Sequence, residues 1–422
     1  MTEWKEKLLP LSQQAELINR WLAERLDQIL PELMQRESID MWLVLSRGEY
    51  HEDPVHKSLV PEPMLLARKL VFCLREDGGV DRLNIAKPVQ GMSPGRGLDA
   101  IYRRAWDQGE VDEWACIARL VRERNPRTIG VNFSKDFAFA DGITATEHVQ
   151  LMEALGPEFT PRVKSAERLV LGWLERRSSS ELAAYTGLND IAHGIIREAF
   201  SSKVVHPGVT TPEQVAWWIR ERIESLGLEC WFQPTVDAQR QGLSGRTAGD
   251  APILPGDLLH CDVGLRYLRL ATDTQQNAYV LHPGETVAPA GLTQALKLGN
   301  QLQDILADNY VAGRTGNEIM QKTLADARAA GLKPQIYTHP IGFHGHGAGP
   351  IIGLYTKPGE NIPGRGDYEL FDDTCYAIEL NIKADIPEWA NQEIAMYLEQ
   401  TAAFTGGRVI YLGGRQTELY LI

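Results

Sequence analysis

The stretch Gly256–Gly264, GDLLHCDVG, decides the fold of this chain. Its apolar, β-prone residues lie between two glycines, which predicts a strand, and the run Leu270–Val280 predicts a neighbouring strand or hairpin partner. Each run carries one acid in its interior, Asp262 and then Asp273 eleven positions later. A carboxylate inside a buried strand is costly unless it is paired, protonated or bound to a metal ion. Either aspartate alone is also typical of a turn or surface position.

A histidine-rich segment follows at Thr338–Pro350, THPIGFHGHGAGP. It holds His339, His344 and His346 among glycines, which allow a backbone to come close to a ligand. A lone histidine is usually structural, but the clustering favours a functional role for part of this group. We interpret His346 as the functional member and His339 as structural.

Two glutamates interrupt later β-like runs, Glu379 in Ala377–Asn381 and Glu399 in Tyr397–Thr401, and the same burial argument applies to both. Carboxylate-rich sites suit hard divalent cations, and four carboxylates balance the charge of two dications. The sequence therefore predicts a dinuclear metal centre with a five-residue ligand set: Asp262, Asp273, His346, Glu379 and Glu399. Two such ions can activate a bridging water and polarise a substrate carbonyl.

The order of these residues resembles that of the creatinase, aminopeptidase P, prolidase and methionine aminopeptidase superfamily. The resemblance rests on two aspartates eleven apart, a Gly-His-Gly-x-Gly histidine and two strand-borne glutamates. It implies an α+β pita-bread catalytic domain over residues 168–422. It also implies a creatinase-like α/β domain over residues 1–167, as in the longer, proline-directed branch.

The resemblance further implies a role for each ligand. The equivalents of Asp273 and Glu399 bridge both metal ions in the family. The equivalent of Asp262 binds one ion, and those of His346 and Glu379 bind the other. We expect manganese, cobalt, zinc or iron at the two positions, with manganese favoured.

The sequence departs from the family at two histidines. Proline-directed members carry a histidine seven positions after the metal histidine, where this chain has Gly353. They carry another upstream of the first aspartate, and this chain has none between Val236 and Asp257. Proton transfer is then expected to depend on Glu379 or on a relocated imidazole. His260, two residues before Asp262 and on the same strand face, and His344 are the candidates.

The rest of the chain reads as an α/β region followed by a region in which helices precede sheet. A helix is predicted over residues 11–36, and the domain boundary is placed just before Arg168, ahead of a Ser-rich helix start. The other predicted strands are Met41–Leu45, Leu70–Leu74 and Thr128–Phe133. The other predicted helices are Val111–Glu123, Ala145–Leu155, a long helix that follows the cap signal at Ser178–Glu181 and reaches about Phe200, Thr211–Leu226, and a helical stretch within Gly291–Ala330.

Composition excludes several classes of function. The formal net charge is −13 and no block of Lys and Arg could follow a phosphate backbone, so nucleic acid is not an expected partner. No apolar run is long enough for a membrane helix, and the N-terminus lacks a signal-peptide pattern. Five scattered cysteines without a CxxC pair favour a reducing cytoplasm. We also expect a homodimer.

The leading hypothesis is a metallopeptidase that cleaves short peptides, with Xaa-Pro bonds as the expected target. A second hypothesis keeps the metals but has a hydrolase or lyase of a non-peptide small molecule, because one fold can host several reactions. A third is a non-catalytic binding module, which the intact carboxylates argue against. Arg240, Arg246 and Arg415 are candidates to bind a substrate carboxylate.

Overall fold

The computed structural model describes residues 8–47, 51–63, 69–87 and 98–422. These divide into two compact units, with the division between Ser178 and Ser179. The predicted boundary at residue 167 lies eleven residues earlier. The intervening helix belongs to the N-terminal unit because it packs against the first helix of that unit, and its Trp173 Nε1 donates a hydrogen bond of 2.7 Å to Ser58 Oγ.

The N-terminal unit has an α/β architecture. Its elements are α1 Leu11–Arg36, β1 Met41–Leu45, α2 His56–Leu59, β2 Lys69–Leu74, β3 Val80–Asn84, α3 Leu98–Ile101, β4 Arg103–Arg104, α4 Glu113–Arg124, β5 Ile129–Val131, α5 Ala145–Phe159, β6 Val163–Ser165 and α6 Glu167–Glu175. Within the described ranges, the sheet has six strands in the order β4-β3-β2-β1-β5-β6, with β1 antiparallel to β2 and parallel to β5. The helix predicted over residues 11–36 is confirmed.

The C-terminal unit has a larger sheet and supporting helices. Its elements are α7 Ser179–Ala199, α8 Pro212–Ser225, β7 Glu229–Cys230, β8 Thr235–Gln239, β9 Leu258–Val263, β10 Leu265–Tyr267, β11 Leu270–Ala271, β12 Thr274–Tyr279, α9 Ala290–Asp308, α10 Gly316–Ala329, β13 Pro334–Ile336, β14 His339–Pro340, β15 Thr374–Ile386, β16 Gln392–Thr405, β17 Arg408–Tyr411 and β18 Tyr420–Leu421. The main sheet follows the path β13-β15-β16-β12-β9-β8, with β14, β17 and β18 attached at its sides.

The two faces of this sheet differ in character. On one face Ile378, Leu380 and Ile382 of β15 enter an apolar core with Leu398 of β16, and α9 packs against both strands. Because side chains alternate along a strand, Glu379 and its neighbours at the same parity point to the opposite face. A register shift of one residue would place the acids in the apolar core, so the apolar pattern fixes which face carries them.

Local sequence explains where the elements begin and end. Thr211 caps α8 through its side chain and forms a reciprocal capping box with Gln214, as Thr315 does with Glu318 in α10. The predicted helical stretch over 291–330 is two helices, and Gly313 adopts a positive φ in the turn between them. Every helix in the described part of the chain is too short or too polar to cross a membrane.

Candidate metal centre

Four strands place one polar side chain each in a single row across the sheet. Asp262 of β9 pairs with Gln275 of β12, Gln275 pairs with Glu399 of β16, and Glu399 pairs with Glu379 of β15. Directly paired residues on adjacent strands share a face, so all four side chains point to the same side. Three of the four predicted carboxylates therefore meet through strand register alone.

The fourth carboxylate, Asp273, lies at the break between β11 and β12. Its backbone N–H donates to Thr401 Oγ1 at 3.1 Å, and the Thr401 hydroxyl donates back to the Asp273 carbonyl oxygen at 3.0 Å. This pair of hydrogen bonds fixes the break against β16. The Asp273 carboxyl group interacts electrostatically with those of Asp262 and Glu399.

The structure brings His339 to these acids. It lies in β14, opposite Ala377 of β15, and is buried. Its Nε2 is 3.4 Å from Glu399 Oε1, 3.5 Å from Asp273 Oδ2 and 4.0 Å from Glu379 Oε2. His339, Asp273 and Glu399 form a group whose candidate ligand atoms all lie within 4.8 Å of one another.

His346, the histidine selected from the sequence, lies one layer further out. Its side chain is exposed, and its ring makes edge contacts with His339 at 4.7 Å and with Trp231 at 5.2 Å between centroids. Partial desolvation of the ring by its neighbours lowers its pKa to about 4, and the charges of His339 and Arg365 act in the same direction. The structure therefore brings the four predicted carboxylates together with a histidine. That histidine is His339, whereas the sequence had indicated His346.

The carboxyl groups are strongly perturbed. Burial, followed by repulsion from neighbouring acids, raises the pKa of Asp273 and of Glu399 well above their usual range. Burial also raises the pKa of Asp262, and raises that of Glu379 to about 7. Burial lowers the pKa of His339, but interaction with Glu399 and Glu379 outweighs it, so that the net change is upward. A positive charge close to these carboxyl groups would favour their ionised form.

Several buried polar atoms here have no hydrogen-bond partner within the described residues: Asp262 Oδ1, Asp273 Oδ1, Glu399 Oε1 and His339 Nε2. Buried polar atoms are nearly always satisfied, and oxygen with imidazole nitrogen is a donor set that divalent cations accept. The residues present therefore fit a metal centre. Metal binding would satisfy these atoms and favour the charged carboxylates.

The comparison with known protein families agrees with this geometry. The model of metallopeptidase family M24 matches residues 186–409, which is more than half of the chain. The chain belongs to metallopeptidase family M24. Membership confirms the predicted superfamily and the pita-bread fold class, and it identifies the protein as a peptidase enzyme of the metal-dependent hydrolase type.

Solved structures of similar fold cover nearly the whole length of this family M24 chain. An X-Pro aminopeptidase from Thermotoga maritima MSB8 is 15% identical with a TM-score of 0.62, covering 92% of this chain and 99% of its own. A Xaa-Pro dipeptidase from Bacillus anthracis is 16% identical with a TM-score of 0.62 (96% and 100% covered), and the prolidase from Pyrococcus furiosus is 14% identical with a TM-score of 0.56 (92% and 99%). No curated protein sequence shows a significant match.

His260 and His344, the histidines predicted to take part in proton transfer, lie in different environments. His260 is buried behind the carboxylates, with Nδ1 3.1 Å from Asp237 Oδ2 and Nε2 2.9 Å from Gln275 Oε1. His344 lies in the loop after β14, half-buried, with its ring against Phe343. Among the described residues, the hydrogen bonds of His260 reach the carboxylates through Gln275, a residue that the sequence did not point to.

The arginines proposed from the sequence are engaged elsewhere. Arg240 binds Asp257 at 2.6 Å and 2.7 Å, Arg246 binds Asp237 at 2.9 Å, and Arg415 binds Asp304 at 2.6 Å: each has an acidic partner. Arg365 is different. It is half-buried, burial lowers its pKa, and it has no acidic partner within the described residues.

Removal of metal should steepen the loss of stability of the protein as pH rises. In metal-free protein, raised carboxyl pKa values mean that the folded state binds more protons than the unfolded state. The free energy of unfolding should then fall as pH rises from about 4.5 through about 7, the unfolded and folded values for Glu379. Urea unfolding of chelator-treated and manganese-loaded protein at pH 5 and pH 7.5 measures this.

Asp53 in the N-terminal unit is the necessary control for that measurement, because burial raises its pKa to about 7 as well. The comparison is therefore made in an Asp53→Asn background, where the remaining pH dependence comes from other groups. Metal-loaded protein should lose less stability over the same interval. Equal slopes with and without metal would contradict the prediction.

Proposed function

We propose that this protein is a dinuclear-metal dipeptidase that hydrolyses short peptides with Xaa-Pro bonds. The ligand set that we propose is Asp262, Asp273, His339, Glu379 and Glu399. The observation that carries the proposal is the convergence of these five side chains, four of which have buried atoms without hydrogen-bond partners in the described ranges. As in the sequence analysis, Asp273 and Glu399 are the proposed bridging ligands.

Choosing His339 in place of His346 also removes one departure from the family pattern. Proline-directed members carry a histidine seven positions after the metal histidine, and His346 lies seven positions after His339. The glycine at position 353 is then no longer a departure from the family pattern. The second missing histidine, upstream of Asp262, remains a departure.

The residues divide the chemistry between them. When bound, two divalent ions supply an activated water and polarise the scissile carbonyl. Glu379, next to that position, accepts the proton of the attacking water and returns it to the leaving nitrogen. His346, exposed beside His339 with its pKa lowered to about 4, is a neutral imidazole near pH 7 and orients the substrate carbonyl by hydrogen bonding.

Arg365 supports a dipeptide rather than a longer peptide as substrate. A half-buried guanidinium without an acidic partner in the described residues is a binding group for an anion, and its charge acts on His346 beside the metal centre. The carboxylate at the C-terminus of a dipeptide is the anion that would lie one residue from the scissile bond. We therefore assign substrate-carboxylate binding to Arg365.

An Arg365→Met variant should raise KM for an Xaa-Pro dipeptide by about 10- to 100-fold, because a charge-assisted hydrogen bond contributes ~1.5–3 kcal/mol. The matching dipeptide amide should be hydrolysed poorly by both wild type and variant. Steady-state kinetics on the two substrates measures this. Arg415→Met, at an arginine already paired with Asp304, is the control and should change neither value. An unchanged KM in Arg365→Met would refute the assignment.

A panel of dipeptides and tripeptides tests the function as a whole. The protein would be loaded with manganese, cobalt or zinc and the release of proline measured. We expect hydrolysis of Xaa-Pro dipeptides, fastest with manganese. If no peptide is cleaved, the peptidase proposal is refuted and a small-molecule substrate is favoured. The histidine expected seven positions after the metal histidine no longer supports that alternative, because His346 occupies this position relative to His339.

Two further properties belong to this proposal. We propose two bound ions per chain, to be counted by elemental analysis after loading and desalting. We also propose a cytoplasmic homodimer, to be tested by sedimentation equilibrium and by cell fractionation. Finding one ion per chain would refute the dinuclear centre, and finding a monomer would refute the dimer. Neither result would refute the peptidase activity.

A further inference from the structure

Gln275 lies at the centre of the row of metal-centre acids, yet it is not itself a metal ligand in the proposed set. Its side chain is buried, and it is paired with Asp262 on one side and Glu399 on the other. Its amide Nε2 donates to Glu379 Oε1 at 2.6 Å and to Glu399 Oε2 at 3.0 Å. A single side chain therefore contacts two carboxylates that the proposed function assigns to the metal ions.

The Gln275 amide donates to one carboxylate oxygen of each glutamate, so the second oxygen of each remains available for another contact. The remaining atoms, Glu379 Oε2 and Glu399 Oε1, are those nearest to His339 Nε2, at 4.0 Å and 3.4 Å. Glu399 Oε1 has no hydrogen-bond partner among the residues that the structure describes. The Gln275 contacts thus select which oxygen of each glutamate faces the proposed metal position.

The orientation of the Gln275 amide is fixed by His260, on the side away from the two glutamates. In their ionised form, which is the form that binds metal ions, the two glutamates only accept hydrogen bonds, so the amide nitrogen must face them and Oε1 must face away. That oxygen is 2.9 Å from His260 Nε2, and His260 Nδ1 is 3.1 Å from Asp237 Oδ2. Asp237 is in turn held by Arg246 at 2.9 Å. With its ring nitrogens as donors, His260 links Asp237 to Gln275 Oε1, and this contact holds the amide in one orientation.

We propose that Gln275, oriented by His260 and Asp237, is a positioning residue that holds Glu379 and Glu399 in their metal-binding orientation. The inference rests on the proposed function, because it assumes that metal ions bind at these glutamates. Partners behind metal ligands fix ligand orientation, and their loss commonly weakens metal binding by about 10- to 100-fold. We expect a loss of that size when the Gln275 donor is removed.

The matched control is the next residue of the same strand. Gln276 is equally buried but points to the other face of the sheet, where its Oε1 accepts a hydrogen bond of 2.7 Å from the Tyr420 hydroxyl. Gln275→Leu and Gln276→Leu therefore remove the same groups from equally buried positions. A general loss of stability should affect both, whereas a positioning role should affect only Gln275→Leu.

The experiment titrates manganese into chelator-treated wild type, Gln275→Leu and Gln276→Leu by isothermal calorimetry. The visible absorption spectrum of each cobalt-loaded protein reports ligand geometry without relying on turnover. We expect about 10- to 100-fold weaker manganese binding and an altered cobalt spectrum for Gln275→Leu alone. Wild-type affinity and spectrum in Gln275→Leu, or equal losses in the two variants, would overturn the inference.

His260 provides a second test should Gln275→Leu fail to fold. His260→Gln keeps a donor for Gln275 Oε1, whereas His260→Leu does not. We expect His260→Leu to weaken manganese binding and His260→Gln to restore most of it, and equal affinities in the two variants would overturn the inference. Failure of wild-type protein to bind manganese would instead refute the proposed function, so the two failures are distinguishable.

Discussion

An Asp273→Ala variant is expected to lose at least about 10³-fold in kcat/KM on an Xaa-Pro dipeptide, equivalent to ~4 kcal/mol of transition-state stabilisation. The carboxyl group of Asp273 lies among Asp262, Glu399 and His339, so its removal affects both proposed ion positions at once. The remaining buried acids would repel one another without a bridging cation. Glu399→Ala should behave similarly.

The measurement combines kinetics with metal analysis and thermal unfolding in manganese buffer. We expect less than two ions per chain and a lower unfolding temperature for Asp273→Ala, since a ligand that binds only the folded state stabilises it. Asp304→Ala, at an exposed acid paired with Arg415, is the control and should retain activity and metal content. Near-normal turnover in Asp273→Ala would show that Asp273 is not a bridging ligand.

Alternation along the strands made the positions of the acids predictable. Asp262, Glu379 and Glu399 interrupt runs of apolar residues, and Ile378 and Leu380 on either side of Glu379 do enter the apolar core. The pairing of Gln275 with Glu399 could not be predicted, because it depends on the register of two strands that are far apart in sequence. Gln275 was overlooked for this reason.

The glycines of the segment over residues 338–350 were misleading about which histidine meets the acids. They suggested close approach of a ligand, but a Cβ on Gly345 would lie 2.3 Å from Trp231 Cε2, and a Cβ on Gly347 would lie 2.9 Å from the Pro340 carbonyl carbon. The glycines are thus required by the packing of the chain against itself. His339 lies instead in β14, a two-residue strand too short to be recognised from a periodic pattern.

Exchange of the two histidines for alanine should separate their roles, with the largest effect at His339. His339→Ala should lose manganese and fall by at least about 10³-fold in kcat/KM, because an imidazole whose Nε2 is 3.4 Å from Glu399 and 3.5 Å from Asp273 is removed from the centre. His346→Ala should keep its metal content.

The expected cost for His346→Ala is about 10²-fold in kcat/KM, the lower range for loss of a group that acts on the reacting atoms. Elemental analysis of both desalted variants, together with kinetics on one Xaa-Pro dipeptide, measures the difference. His206→Ala is a suitable control, because His206 lies in the turn that precedes α8 and should affect neither quantity. Loss of metal in His346→Ala with full retention in His339→Ala would restore His346 as the ligand, because metal content reports coordination directly whereas activity alone would fall in either case.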